Sequence, residues 1–298
     1  MLQKYPLFSR LTIEDKKSIE KIVEKFDPYS DFNFTSLFSW DDGTTEISLL
    51  YDNLIIKMSD YSSSKTIYTL IGQDKIDETL LSLFGRTNKV DLVPEVVIKN
   101  INKPDLFAIK EDRDQFDYVY NIPEQINLTG GAFKLKRNKL NHFMKNQSGD
   151  MAVKKIDFRS KSIRSDVMSI LKQWTTEREV QGKESARELE AIRRLFDYSQ
   201  SLNLSGVILY IEGAAVGFSI NEAVQKDYAI CHFQKALYVF KHIDVFLSNI
   251  TAKEMKHFGC KHINWEQDLG MPGLRRLKES YKPDFYLKKY TIEKQTPT

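Results

Sequence analysis

The segment YAICHFQKALYVFKHIDVFLSNITAKEMKHFGCKHINWEQ, residues 228–267, reads as strand, loop, helix and strand with almost nothing between them. YAICHFQKA and CKHINWEQ are short apolar runs bounded by turn-forming or polar residues. Between them, VFLSNITAKEMKHFG places Leu247, Ile250, Met255 and Phe258 on one broad face and stops at Gly259, a residue suited to the position after a helix. Such a βαβ unit has parallel strands and a right-handed crossover. Alternation puts Tyr228, Ile230, His232 and Gln234 on one side of the first strand, and His262, Asn264 and Glu266 on one side of the second. A polar row in a buried parallel sheet needs a reason, because each unpaired buried polar group costs roughly 1–3 kcal/mol. It is either the wall of a cleft where the strands diverge, or a sheet edge or satisfied internal network.

Working outward, GVILYIEGAAVGFSINE (206–222) is a hairpin turning at Glu212-Gly213-Ala214. Two amphipathic helices precede it, DVMSILKQWTTEREV (166–180) and SARELEAIRRLFDYSQSL (185–202), with apolar residues at helical spacing. Downstream, LGMPGLRRLKESY (269–281) is a helix and DFYLKKYTI (284–292) a final strand. Two helices, an antiparallel hairpin, a βαβ unit and a last helix–strand pair is an element order similar to that of the GNAT acyltransferases.

The first half is also mixed α and β. Residues 12–26 form an amphipathic helix capped by Thr12 and Asp15. EISLLYDNLIIKMSD gives two strands around a turn at Asp52-Asn53; TIYTLIG is a strand, DKIDETLLSLFG a helix, and Tyr118–Tyr120 lies in another strand. LTGGAFKLKRNKLNHFMKNQSGD (128–150) is a Gly-Gly loop followed by a basic helix, and NQSGD breaks the chain, so the expected domains are 1–148 and 149–298. The two halves share a coarse element order, which suggests a duplicated fold.

The chain has 298 residues, 44 Lys and Arg against 41 Asp and Glu, and an apolar fraction of 41%. That is core material enough to exclude wholesale disorder, and a charge too balanced for an acidic tail or a nucleic-acid-coating protein. Two cysteines and five histidines, none in HExxH or CxxC spacing, point away from a metal enzyme. No run approaches the ~18 consecutive apolar residues of a membrane span, and the N-terminus lacks the apolar core of a secretory signal. The expected setting is cytoplasmic, with no integral membrane segment and no metal.

NWEQDLGMPGLRRLKESYKPDF (264–285), SDFNFTSLFSWD (30–41), EDRDQFDYVY (111–120) and the Lys136-Arg137-Asn138 triplet together resemble the phosphatidylglycerol lysyltransferase C-terminal-like family of Fem-type aminoacyl transferases. The resemblance spans essentially the whole chain. It implies an α+β protein of two tandem GNAT-like domains, each a mixed sheet flanked by helices, facing a shared cleft. The chemistry it implies is movement of an aminoacyl group from aminoacyl-tRNA to an acceptor, a lipid headgroup in the characterised branch. The membrane-spanning region of the full lysyltransferases is not found in this sequence, which counts against a lipid acceptor; a small molecule, a peptide or a lipid headgroup are the acceptors considered. Acetyl-CoA is disfavoured as donor: the loop Ala236–Ile243 has no glycine to admit a pyrophosphate, and Tyr238-Val239-Phe240 is bulky. No cofactor is required. Two alternatives stand beside this reading, an acyl-CoA-dependent GNAT N-acyltransferase and a non-catalytic binding protein on a transferase fold.

On this reading Glu266 orients or deprotonates the attacking amine or hydroxyl, Asn264 fixes the geometry, and Asp268 is a second carboxylate that would equally cap the helix after it. Arg275 and Lys278, at i, i+3, project from one side of a helix toward a carboxylate, a phosphate or the oxyanion, or else form a solvated face. Lys136, Arg137 and Asn138 on the basic helix, with Gln234 on the first parallel strand, complete the substrate-binding set; the basic helix would meet the acceptor end of a tRNA. Glu254, on an apolar helix face, needs a partner. Cys231 and His232 read more simply as core residues than as nucleophile and base.

Overall fold

The computed structural model describes residues 2–60, 63, 65–147, 150–177, 183–225 and 227–295. In chain order its regular elements are β1 (Ser9–Arg10), α1 (Lys16–Val23), α2 (Phe34–Trp40), β2 (Glu46–Leu50), β3 (Asn53–Ser59), β4 (Thr66–Ile71), α3 (Ile76–Leu83), β5 (Lys89–Pro94), α4 (Glu95–Ile98), β6 (Phe107–Glu111) and β7 (Asp117–Asn121). There follow α5 (Ile122–Asn127), α6 (Lys134–Asn146), β8 (Met151–Lys155), α7 (Lys161–Glu177), α8 (Lys183–Asp197), β9 (Leu204–Ile211) and β10 (Ala214–Val224). The chain closes with β11 (Tyr228–Ala236), α9 (Ile243–His257), β12 (His262–Asn264), α10 (Pro272–Glu279), β13 (Phe285–Leu287) and β14 (Lys289–Lys294).

The chain divides into two compact units: Met1–Asp117 with Gln267–Arg275 and Tyr286–Thr298, and Tyr118–Glu266 with Arg276–Phe285. The break expected at NQSGD includes residues 148 and 149, which lie outside the described residues, and the segments on both sides of it belong to the second unit. The chain instead changes unit inside β7 and crosses back near its end.

The first unit holds a four-stranded antiparallel sheet, β1-β2-β3-β4, and a three-stranded one, β5-β14-β6. Ile55, Leu70, Leu80, Val93, Phe107 and Ile292 are among its fully or nearly buried core residues. The β2–β3 turn is Tyr51-Asp52, one residue earlier than its sequence suggests, with Tyr51 left-handed at φ 55° and Leu50 opposite Asn53. The reason is Asn53 itself: buried, it donates through Nδ2 to Asp74 O at 2.6 Å and accepts from Asp74 N–H at 3.1 Å, so its side chain anchors the loop before α3 and is not available to a turn.

The second unit is built on the strand order β7-β12-β11-β10-β9-β8, with β13, which begins at Phe285, outside β7. The short strands β1, β6 and β8 went unread in the sequence. β9 and β10 form the hairpin, and β11 and β12 are the one parallel pair among the described strand pairings, with α9 crossing between them. Phe143 of α6 stacks on Phe246 of α9 at 4.8 Å, and Thr251 of α9 meets Ser219 of β10 at 2.8 Å, which fixes α9 against the sheet. The segment read as one last strand is two: β13 and β14 part at Lys288 and join different sheets.

Candidate active site

β11 and β12 pair over only three positions, Tyr228 opposite His262, Ala229 opposite Ile263 and Ile230 opposite Asn264. Beyond them the chains separate. β11 continues along β10 to Ala236, whereas the residues after Asn264 stay with β7: Trp265 N–H donates to Tyr118 O at 2.9 Å and Tyr118 N–H to Glu266 O at 3.2 Å. Two parallel strands that each keep their outer neighbour must open a gap between them.

Glu266 stands at that gap in a left-handed conformation, φ 56°. Its N–H is donated to Asn264 Oδ1 at 2.6 Å, and its carbonyl also accepts from Lys278 Nζ at 3.1 Å; the same ammonium donates to Trp265 O at 2.6 Å. Asn264 and Lys278, both buried, therefore hold the backbone at Glu266. The Glu266 side chain is 20% exposed and lies 3.5 Å from His232 Nδ1; Glu222 Oε2 lies 3.5 Å from His232 Nε2. Burial alone would lower the His232 pKa, but the two carboxylates outweigh it and push it up to about 9. That shift favours the imidazolium at neutral pH, a buried histidine paired with two carboxylates.

The register explains how His232 comes to be there. Ile220 faces Phe233 and Asn221 faces Cys231, so the β10–β11 ladder skips His232, a β-bulge. Simple alternation fails beyond that point. Gln234 does not share the face of Ile230 and His232; it turns toward α9, where its Nε2 donates to Ser248 Oγ at 2.9 Å, while Lys235 lies on the opposite face over the Trp174 ring at 3.8 Å. Cys231 is buried, and burial with the nearby Glu266 charge pushes its thiol pKa up, which leaves it inert. Glu254 finds its partners in Lys155 at 3.0 Å and Ser205 at 3.3 Å.

The basic helix is only partly a surface. Arg137 donates to the carbonyls of Leu128 and Gly130, tying down the Gly-Gly loop, and Asn138 is exposed on α6. Lys136 is buried, its Nζ 3.2 Å from the Tyr281 ring centroid, and burial pushes its pKa down to about 7 against the pull of Asp244. Tyr238 and Val239 of the loop before α9 are exposed at 40% and 74%, and Phe240 is half-buried.

Asp268, expected as a second carboxylate that would equally cap the following helix, and Arg275, expected to bind substrate, lie in the first unit and pair with each other. Asp268 is fully buried; its carboxylate accepts from Arg275 Nε and Nη2 at 2.8 Å each, from Gly270 N–H at 2.9 Å and from Arg113 at 3.4 Å. Arg275 Nη2 also donates to Asp114 Oδ1 at 2.6 Å. Gly270 has φ 72°, which strains any side chain, and a Cβ there would sit 2.9 Å from Asp114 Oδ2 and displace that carboxylate. These groups pin the turn before α10. A second buried network, unnoticed in the sequence, gathers Ser30, Asp31, Asp117, Gln267 and Lys289. Lys289 Nζ contacts Asp31 and lies 2.7 Å from Asp117 Oδ1, Ser30 N–H donates to Asp117 Oδ2 at 2.7 Å, and Gln267 Nε2 reaches Asp31 at 3.3 Å. The signal available was the convergence of the motif stretches at 30, 117 and 267 on one lysine in an otherwise β-patterned tail.

Among the described residues no group of three or more His, Cys, Asp or Glu could hold a metal, and no helix is long and apolar enough to cross a membrane.

A buried histidine between two carboxylates and a left-handed Glu266 thus meet at the point where two parallel strands part. Residues 24–293 match the family described as phosphatidylglycerol lysyltransferase, C-terminal, and the chain belongs to that family. A conserved protein of unknown function from Bacteroides thetaiotaomicron VPI-5482 has the same fold, with TM-score 0.84 at 24% identity over 97% of this chain and 99% of its own. The C-terminal domain of a putative lysylphosphatidylglycerol synthetase from Agrobacterium fabrum superposes at TM-score 0.65 and 11% identity, covering 96% and 93%. L-PGS from Bacillus licheniformis does so at 0.64 and 14%, covering 95% and 93%. No curated protein matches the chain.

Proposed function

We propose that the protein is an acyltransferase of the aminoacyl type, moving an aminoacyl group from aminoacyl-tRNA to an amine or hydroxyl acceptor, on two GNAT-like halves. Family membership supports the transferase class, and the observation that carries the reading is Glu266, held left-handed at the parting of β11 and β12. In this mechanism the acceptor amine or hydroxyl attacks the ester carbonyl directly. As the new C–N or C–O bond forms, the acceptor proton passes to the Glu266 carboxylate; as the ester C–O bond breaks, that proton leaves on the ribose oxygen. His232 does not touch the reactants. Its imidazolium keeps a positive charge against Glu266 and so positions the base.

A donor other than acyl-CoA is supported by the loop before α9. There the N–H groups of Leu237, Phe240 and Ile243 are donated to protein carbonyls, and that of Tyr238 to Glu177 at 3.0 Å, leaving none of these four to cradle a pyrophosphate. The test is transfer of radiolabelled amino acid from charged tRNA to a panel of lipids, peptides and small amines. Transfer reduced by about 10²–10⁴ in Glu266→Gln is the expected result; no transfer above that variant, with any acceptor, sinks the proposal.

A further inference from the structure

Glu222 of β10, His232 of β11 and Glu266 after β12 stand in a row within the second unit. Their burial is graded: the Glu222 side chain is 3% exposed, that of His232 is sealed, and that of Glu266 is 20% exposed. The ladder sets Glu222 opposite Ile230, so His232 is its diagonal neighbour on β11. Each carboxylate meets its own ring nitrogen, Glu266 at 3.5 Å from Nδ1 and Glu222 at 3.5 Å from Nε2. A neutral imidazole carries one N–H and one lone pair, so it would turn the lone pair on one of the two carboxylates; the imidazolium suits both.

With both carboxylates ionised and the ring protonated, the row carries one net negative charge, and uptake of a proton makes it neutral. A pair of Glu266 and His232 alone is neutral already, and a proton taken up there would leave a buried cation. Burial penalises net charge, so it favours proton uptake by the row and opposes it in the pair. We propose that Glu222 is a positioning residue of the transfer reaction: sealed from the reactants, it acts through His232 to make the row a proton acceptor, with Glu266 as its entry point. This rests on the transferase reading and deepens it. In the step, the acceptor N–H or O–H bond breaks and its electron pair stays on the attacking atom. The proton bonds to the Glu266 carboxylate, both ring N–H groups stay in place, and the proton later leaves on the ribose oxygen.

The charged groups around His232 are Glu222 and Glu266; Lys278 of α10 lies at the Glu266 carbonyl, the Cys231 thiol is the neighbour in the chain, and farther along β11 Lys235 pairs with Glu188 of α8 at 2.8 Å. The full chain with isotope-labelled histidine is titrated by NMR, His232→Gln identifying the His232 ring, and transfer from charged tRNA to the responding acceptor of the panel is timed over the same pH range. In Glu222→Gln the His232 pKa of about 9 should fall by about one unit or more, a tenfold loss of proton affinity. In the same variant kcat should fall about tenfold with KM within about twofold, and the acid limb of the rate profile should move to lower pH. Glu188→Gln, which takes a carboxylate from Lys235 instead, should leave ring and rate profile unchanged. If Glu222→Gln loses its melting transition, Glu222→Asp decides, because its carboxylate is a bond farther from Nε2: smaller shifts in the same directions support the proposal, and wild-type values overturn it. A ring titration unmoved by Glu222→Gln overturns the proposal, as does a moved ring with an unchanged rate profile. Absence of transfer in the wild type is a different failure: it overturns the transferase reading, and the role of Glu222 in that reaction with it.

Discussion

Glu266 keeps a side chain at a backbone angle that disfavours one by about 1–2 kcal/mol, and three hydrogen bonds from Glu266 N–H, Tyr118 and Lys278 hold it there. Its neighbour His232 makes stability depend on pH in a known direction. The folded pKa, about 9, lies above the ordinary value of 6.5, so the contribution is complete below about pH 6.5 and disappears as pH rises through 9. We expect a stability loss on the order of 3 kcal/mol across that range, and a flatter profile in His232→Gln, by denaturant titration at several pH values. Lys289 is the first unit's counterpart. Burial would lower its pKa, yet Asp117 and Asp31 hold it raised and charged. Lys289→Met leaves two buried carboxylates unbalanced and should cost about 3–5 kcal/mol in the same assay, with partial rescue by Asp31→Asn.

Among the elements, the β9–β10 hairpin tolerates little. A Cβ on Gly206 would lie 2.6 Å from the Ser219 carbonyl and 2.9 Å from Ile156 Cδ1, so Gly206→Ala must push the strands apart and should lower stability by about 1–3 kcal/mol, read as a fall in melting temperature. The β9–β10 hairpin, the βαβ unit and the α9 stop at Gly259 were legible in the sequence because each is set by local periodicity and turn residues. The bulge at His232 was not. It inserts one residue without breaking the apolar run, so strict alternation assigned Gln234 to the wrong face and hid Glu222 as a partner. Nor could spacing distinguish Arg275 and Lys278 as ligands from Arg275 and Lys278 as braces. Their fates depend on Asp268, Asp114 and two backbone carbonyls, and the sequence does not reveal which of those lie within reach.

For the molecule as a whole, chain order and spatial order disagree. The first unit is assembled from three separate segments, and β14, supplied by the last of them, is the middle strand of its three-stranded sheet. Deleting residues 286–298 removes that strand and Lys289 together. We expect the truncated chain to keep a protease-resistant core from the second unit while the first is digested, as mass spectrometry of limited-proteolysis fragments would register. The late lysine also sets a timetable for synthesis. Until residue 289 has been made, Asp31 and Asp117 have no counterion waiting. The first unit is then completed only after the segments of the second have been made, and a nascent chain stalled before residue 289 would be a natural client for chaperones.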